Sequence, residues 1–209
     1  MEDKLSVYVD CDDTILNSSV AVIDILNKYF NKNKTIEDLH DWNYRSIEKT
    51  IAADDICKIY ESDEFWSIVK VNAGFLNFYQ RYKTKFNWIV VSKGTKRNLL
   101  QKKIYLEKIF DNFQFIGVEI FNPDKQLSKS SFDMSNSIQI DDVFEELEDT
   151  NANIKILLTN NRKFYWNKIK PNVENLYAVQ NWEEISQILE FFYKNTEFVY
   201  KGVLKCELI

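Results

Sequence analysis

Two aspartates one residue apart, Asp10 and Asp12, close a β-rich run that reads Leu5-Ser6-Val7-Tyr8-Val9, and Thr14 follows. Side chains alternate along a strand, so residues two apart share a side where the strand ends. Ligands of open α/β sheets gather at the carboxyl ends of the strands. Two carboxylates there can hold a hard divalent cation, and one of them can attack a phosphorus atom. The same residues also suit a capped turn, since Asp and Thr commonly start helices. What lies downstream decides between the two.

Two further β-rich runs end in polar groups of complementary use. Phe86–Val91 ends at Ser92-Lys93-Gly94-Thr95, and Ser137–Ile140 ends at Asp141-Asp142, with Lys129 twelve positions before Asp141. Each has a plainer reading. Ser92 with Gly94 suits a strand-to-helix turn, Lys125 competes with Lys129 in the same polar loop, and Asp142 can cap a helix while Asp141 alone meets a metal. Lys93 reads as a solvated loop charge. Three polar strand ends in one chain, in this order, favour chemistry over turns.

The elements that must position these groups alternate strand and helix. A strand over Leu5–Val9 leads to a helix from Ser18 or Ser19 to about Asn31, with Val22, Ile25, Leu26 and Tyr29 at helical spacing. The clear strand Phe86–Val91 is followed by a helix over Lys96–Phe110, with Leu99, Leu100, Ile104 and Leu106 as its apolar side. Further strands are expected over Phe113–Phe121, Ser137–Ile140, Lys155–Thr159 and Leu176–Val179. Helices are expected after Asp142 and over Glu183–Tyr193, with a last strand or extended arm over Phe198–Ile209. This alternation predicts an α/β, Rossmann-like three-layer fold on a mainly parallel sheet. About 70 residues separate the first two clear strands, against the dozen or so that a crossover needs. Residues 16–79 are therefore expected to form a small helical cap, with 1–15 and 80–209 as the core.

Composition narrows the function. The chain has 209 residues, 45% hydrophobic and 28% charged, with a net charge of −5, which suits a globular protein and argues against a long nucleic-acid duplex as partner. No apolar run approaches the ~18 residues of a membrane span, and the start, Met-Glu-Asp-Lys-Leu, lacks the basic and apolar regions of a secretory signal. The expected location is the cytoplasm. Cys11, Cys57 and Cys206 are too scattered for a zinc site or a disulfide framework, and alternation turns Cys11 away from the aspartates beside it. His40 is the single histidine, which excludes a multi-histidine metal site.

Together, Asp10-Cys11-Asp12-Asp13-Thr14, Ser92, Lys129 and Asp141-Asp142 resemble the four motifs of the haloacid dehalogenase-like (HAD) hydrolase superfamily. Asp13 stands where a glycine is common. The resemblance covers about residues 1–15 and 80–160. It implies a magnesium-dependent phosphatase: Asp10 as nucleophile, Asp12 as general acid and base, Ser92 and Lys129 on the phosphoryl oxygens. Mg2+ would be held by Asp10, the backbone carbonyl of Asp12, and Asp141 and Asp142. A narrower resemblance, to the 5′(3′)-deoxyribonucleotidase-like branch, rests on Ile140-Asp141-Asp142, the helical insertion and the Glu64-Phe65-Trp66 stretch. It implies a small phosphorylated substrate, a nucleoside monophosphate, whose base Trp42, Tyr44, Phe65 and Trp66 could stack upon. Aromatics make up 15% of the chain, so most must fill the core. Phosphorylated nucleic-acid ends, another small phosphometabolite and a catalytically silent interaction module are the alternatives.

Overall fold

The computed structural model describes residues 4–121, 128–161, 164–167 and 173–195; the arm expected over Phe198–Ile209 lies outside them. Six strands, β1 (Ser6–Val9), β2 (Asn87–Gly94), β3 (Gln114–Glu119), β4 (Ser137–Asp141), β5 (Ile154–Leu158) and β6 (Leu176–Val179), form one sheet in the order β3-β2-β1-β4-β5-β6. Every pairing is parallel. Among the described residues seven helices accompany them: α1 (Ser18–Phe30), α2 (Ala53–Tyr60), α3 (Asp63–Ile68), α4 (Phe75–Tyr82), α5 (Lys96–Leu106), α6 (Phe144–Glu148) and α7 (Trp182–Lys194). Three 3-10 turns cover Ile36–Asp38, Lys129–Ser131 and Tyr165–Asn167.

Strand alternation sorts the apolar residues into two layers. Val7 and Val9 of β1, Trp88 and Val90 of β2, and Ile138 and Ile140 of β4 share one core with α7. Ile89 and Val91 of β2 face the other way, beside Val118, Met134 and Ala152. Both faces of the sheet are thus covered, which a parallel sheet requires. Phe75 and Phe78 of α4 meet the buried Trp182 of α7 at ring-centroid distances of 4.8 and 4.7 Å. Truncating such a ring to alanine costs ~3–5 kcal/mol.

β1 is flanked by β2 and β4, and the chain winds from β1 toward β3 before crossing to β4. The crevice above β1 and β4 is therefore the switch point where ligands of such sheets bind. The register sets Val9 level with both Val90 and Ile140, and the Asp10 N–H donates to the Ile140 carbonyl at 2.9 Å. Asp10 is thus level with Asp141 and with Val91, and β2 runs three residues further, through Ser92 to Gly94.

Several local expectations change in the structure. β2 continues through Gly94, beyond Val91, because Lys93 and Gly94 pair with Val118 and Glu119 of β3. Helix α1 is N-capped by Asn17, with Ser18 and Ser19 already in its first turn, and Tyr29 is 66% exposed, its hydroxyl donating to Glu64. α5 ends at Leu106 and turns a different side inward: Leu100 and Ile104 are exposed, while Asn98, Leu99, Lys102 and Leu106 are buried. The polar stripe of Asn98 and Lys102, one helical turn apart, is buried because both side chains find partners inside. No helix among the described residues is long and apolar enough to cross a membrane.

Candidate active site

The loop after β1 is a rigid mount. The Ile15 and Leu16 N–H groups donate to the Cys11 carbonyl at 3.0 and 2.9 Å. Asn72 donates to the carbonyls of Asp13 and Thr14, and Asn160 donates to that of Asp13 at 2.6 Å. Asp13 has φ of +53°, a left-handed conformation that aspartate tolerates better than most residues, which explains how it stands at a position favouring glycine. Its carboxylate accepts from the Ser19 backbone N–H at 3.0 Å and from the Ser19 hydroxyl, tying the loop to α1. Cys11 points into the core and is fully buried, and burial raises its thiol well above the usual range.

Asp10 and Asp141 share one cation. Lys129 Nζ donates to Asp10 Oδ1 at 2.5 Å and to Asp141 Oδ2 at 2.6 Å, all three side chains being less than 10% exposed. The competing Lys125 lies outside the described residues. Burial works to lower the lysine, but the two carboxylates outweigh it and hold Lys129 above its ordinary range. Burial pushes the Asp10 carboxyl up to about 7, with Lys129 pulling it back and Asp141 adding to the rise. Asp141 and Asp142 are also raised, in each case chiefly by burial.

Asp142 is held from both ends. Thr14 Oγ1 donates to its Oδ1 at 3.3 Å, Trp166 Nε1 to its Oδ2 at 3.2 Å, and Asn167 Nδ2 to its carbonyl at 2.6 Å. Asp10, Asp141 and Asp142 each present an oxygen, and these atoms lie within 4.8 Å of one another. Three buried carboxylate oxygens are the donor set of a hard cation. A divalent ion there would relieve the repulsion and desolvation that raise all three acids, so the residues fit Mg2+.

The other side of β1 is built around Lys102, which sequence reasoning missed. Its ammonium reaches Asp12 Oδ2, Ser92 Oγ at 2.9 Å and the Lys93 carbonyl at 2.7 Å, using all three donors. Asp12 also accepts from Ser18 Oγ at 2.7 Å. Ser92 is fully buried within β2, two residues before its end, and Gly94 is tightly packed: a Cβ there would strike the Asn98 side-chain amide. The available signal was the i, i+4 pair Asn98 and Lys102 on a helix leaving a polar strand end.

Above these groups lies a cavity of about 640 Å3, lined by Asp10, Asp12, Lys129 and Asp142 below and by Trp42, Tyr44, Ile56 and Tyr60 from the segment between β1 and β2. That volume suits a small-molecule ligand. Trp42 stacks on Trp166 (centroids 3.9 Å apart), and Trp166 in turn on Phe164 (4.2 Å). The Tyr44 hydroxyl lies 3.0 Å from both the Ser19 and Tyr60 hydroxyls. Tyr60 is the cavity aromatic that the sequence did not single out. Phe65 and Trp66 do not line the cavity. Phe65 is fully buried between Tyr60 and Trp66, and Trp66 packs toward Tyr105, because α3 turns these rings against its neighbouring helices.

The order of the sheet and the helices that cover it are those of the HAD-like hydrolase fold. Solved structures share it. A HAD-like family hydrolase from Streptococcus pneumoniae superposes with a TM-score of 0.58 at 11% identity, covering 92% of this chain and all of the other. A predicted phosphatase from Clostridium acetobutylicum gives 0.57 at 18% identity, over 90% of this chain and 100% of its own. YfnB of Bacillus subtilis, described as a HAD-hydrolase by assignment and bound to magnesium, gives 0.53 at 16% identity, over 90% and 99%. No family model matches the sequence, and no curated protein matches it either.

Proposed function

We propose that the protein is a magnesium-dependent phosphomonoesterase working through an aspartyl-phosphate on Asp10. The observation that carries this reading is Lys129 bridging Asp10 and Asp141 beside Asp142, at the floor of a ligand-sized cavity. Structural neighbours described as phosphatases or as magnesium-bound support it.

In the first step an Asp10 carboxylate oxygen attacks phosphorus, the P–O bond to the leaving alcohol breaks, and Asp12 gives that oxygen a proton. Water then attacks the aspartyl-phosphate, Asp12 takes its proton, and the P–O bond to Asp10 breaks, releasing phosphate. Ser92 Oγ donates to a phosphoryl oxygen, and Lys129 offsets charge on Asp10 and the equatorial oxygens. Asp10, the Asp12 carbonyl, Asp141 and Asp142 would hold Mg2+. When bound, the ion supplies charge neutralisation between phosphate and carboxylates. The segment from α1 to α3 acts as the cap, with Trp42, Tyr44 and Tyr60 facing the leaving group, while α4, which spans the boundary expected at residue 79, packs on α7 of the core. The substrate we favour is a (deoxy)nucleoside monophosphate, because a base stacked on such an aromatic gains about 1–3 kcal/mol.

The test is phosphate release from a panel of nucleoside monophosphates and other phosphomonoesters, with and without Mg2+, for wild type and Asp10→Asn. Release that needs both the ion and Asp10 is expected. Release that survives Asp10→Asn would sink the covalent mechanism, and a silent wild type across the panel would sink the phosphatase.

A further inference from the structure

The charge of the cavity wall restricts what the leaving group can be. Each lysine lining the cavity is already engaged: Lys129 by Asp10 and Asp141, Lys102 by Asp12, and Lys93 by Glu146. Lys102 has no N–H left, its remaining two going to Ser92 Oγ and the Lys93 carbonyl. Lys96 and Arg97, at the start of α5, are exposed and stand outside the cavity lining.

Carboxylates outnumber lysines in the lining, and they reach beyond the floor. Glu145 and Glu146, in the first turn of α6, line the wall past Asp142. The rest of the wall is mostly apolar or aromatic, chiefly Trp42, Tyr44, Ile56, Tyr60 and Ile120; its neutral polar residues Thr95 and Asn98 donate to Glu61 and to the Tyr60 carbonyl. Bound Mg2+ and the transferred phosphoryl group would cancel charge at the floor. Nothing among the described residues would do so for a second anion further up.

We propose that the site accepts phosphomonoesters whose leaving alcohol is neutral or cationic with an apolar or aromatic body, and rejects those carrying a second phosphate or a carboxylate, with the Lys93–Glu146 pair as the discriminating element. This rests on the phosphatase reading above. Breaking that pair should change the preference in a direction set by which partner remains. A freed Lys93 would welcome an anion, and a freed Glu146 would repel it further.

Three esters of one ring separate the possibilities: phenyl phosphate, 4-carboxyphenyl phosphate and 4-(aminomethyl)phenyl phosphate, assayed with Mg2+. Wild type should favour the neutral and cationic esters over the carboxylate ester by about 10-fold or more in kcat/KM. Glu146→Gln should narrow that gap to about 3-fold or less, and Lys93→Met should widen it. The readout is a ratio within each protein, so a general loss of activity from poor folding cancels. Equal turnover of phenyl and carboxyphenyl phosphate by wild type would overturn the inference while leaving the phosphatase intact. A gap that the two variants do not move in opposite directions would remove Lys93–Glu146 from it. No phosphate from any of the three, nor from the nucleotide panel, would end the phosphatase reading and this inference together.

Discussion

Lys129 and Lys102 approach the end of β1 from opposite sides, one from the turn before β4 and the other from α5 behind β2. Lys129 sits between two carboxylates that are almost wholly buried, with side-chain exposures of 9% for Asp10 and 1% for Asp141. Lys102 meets one carboxylate, Asp12, whose side chain is 29% exposed, and two neutral oxygens. One lysine neutralises charge that water cannot reach. The other fixes geometry, joining the Asp12 carboxylate and the Ser92 hydroxyl through a single ammonium. Charge and alignment, which one basic residue often supplies together, are here divided between two.

Replacing each lysine by methionine tests that division. For Lys129→Met the expected loss of kcat is about 100- to 1,000-fold. The expected loss of stability at pH 8 is about 3–5 kcal/mol, because Asp10 and Asp141 are left buried without their cation. Urea denaturation alongside phosphate release measures both, and a stability change below about 1 kcal/mol would show that the carboxylates do not need the ammonium. For Lys102→Met a smaller effect is expected, about 10- to 100-fold in kcat with KM little changed, since Asp12 and Ser92 remain but are no longer joined. Its stability cost should be about 1–2 kcal/mol, as water can reach Asp12. A Lys102→Met protein as damaged as Lys129→Met would erase the distinction.

The smallest expected effect concerns pH and reads the Lys129 side alone. The proposed Mg2+ would bind the ionised acids, and burial holds Asp10 near 7, so its affinity should fall about 10-fold between pH 8 and pH 6 by calorimetry. In the metal-free protein the sign reverses. The folded value of Asp10 lies above its ordinary 3.8, so its contribution to stability is complete below about pH 4 and is lost as the pH rises through about 7. An Mg2+ affinity independent of pH in this window would mean that Asp10 is already ionised before the ion arrives.

Trp166 shows how the two halves of the cavity meet. Its indole N–H holds Asp142 while its ring stacks on Trp42 in the wall above. The residue supporting an acid of the floor therefore also braces a residue that would meet the leaving group. Nothing in the local sequence around Trp166 announces this, since a tryptophan beside Phe164 reads equally well as core.

Strand positions and their parallel alternation with helices were legible in the sequence, as was the place of Asp10, Asp141 and Asp142 at strand ends. These depend on short-range pattern: apolar alternation makes the strand, and the polar group just past it must emerge at the sheet's carboxyl edge. That the three acids meet was implied by the resemblance to the HAD motifs, because the adjacency of β1 and β4 is a matter of sheet order. Lys102 and Tyr60 were not legible, nor was the inward turn of Asn98, because a helix's buried stripe is chosen by what it packs against. Leu100 and Ile104 had as good a claim on apolarity alone, and they ended exposed. The aromatics divide the same way. Composition alone supplied rings enough for both core and cavity, and only the packing of α3 sent Phe65 and Trp66 inward while Trp42 and Tyr44 reached the cavity. Local pattern thus determined where chemistry could stand. The tertiary structure decided which side chains stand around it, because burial of a polar or aromatic group depends on partners distant in the chain.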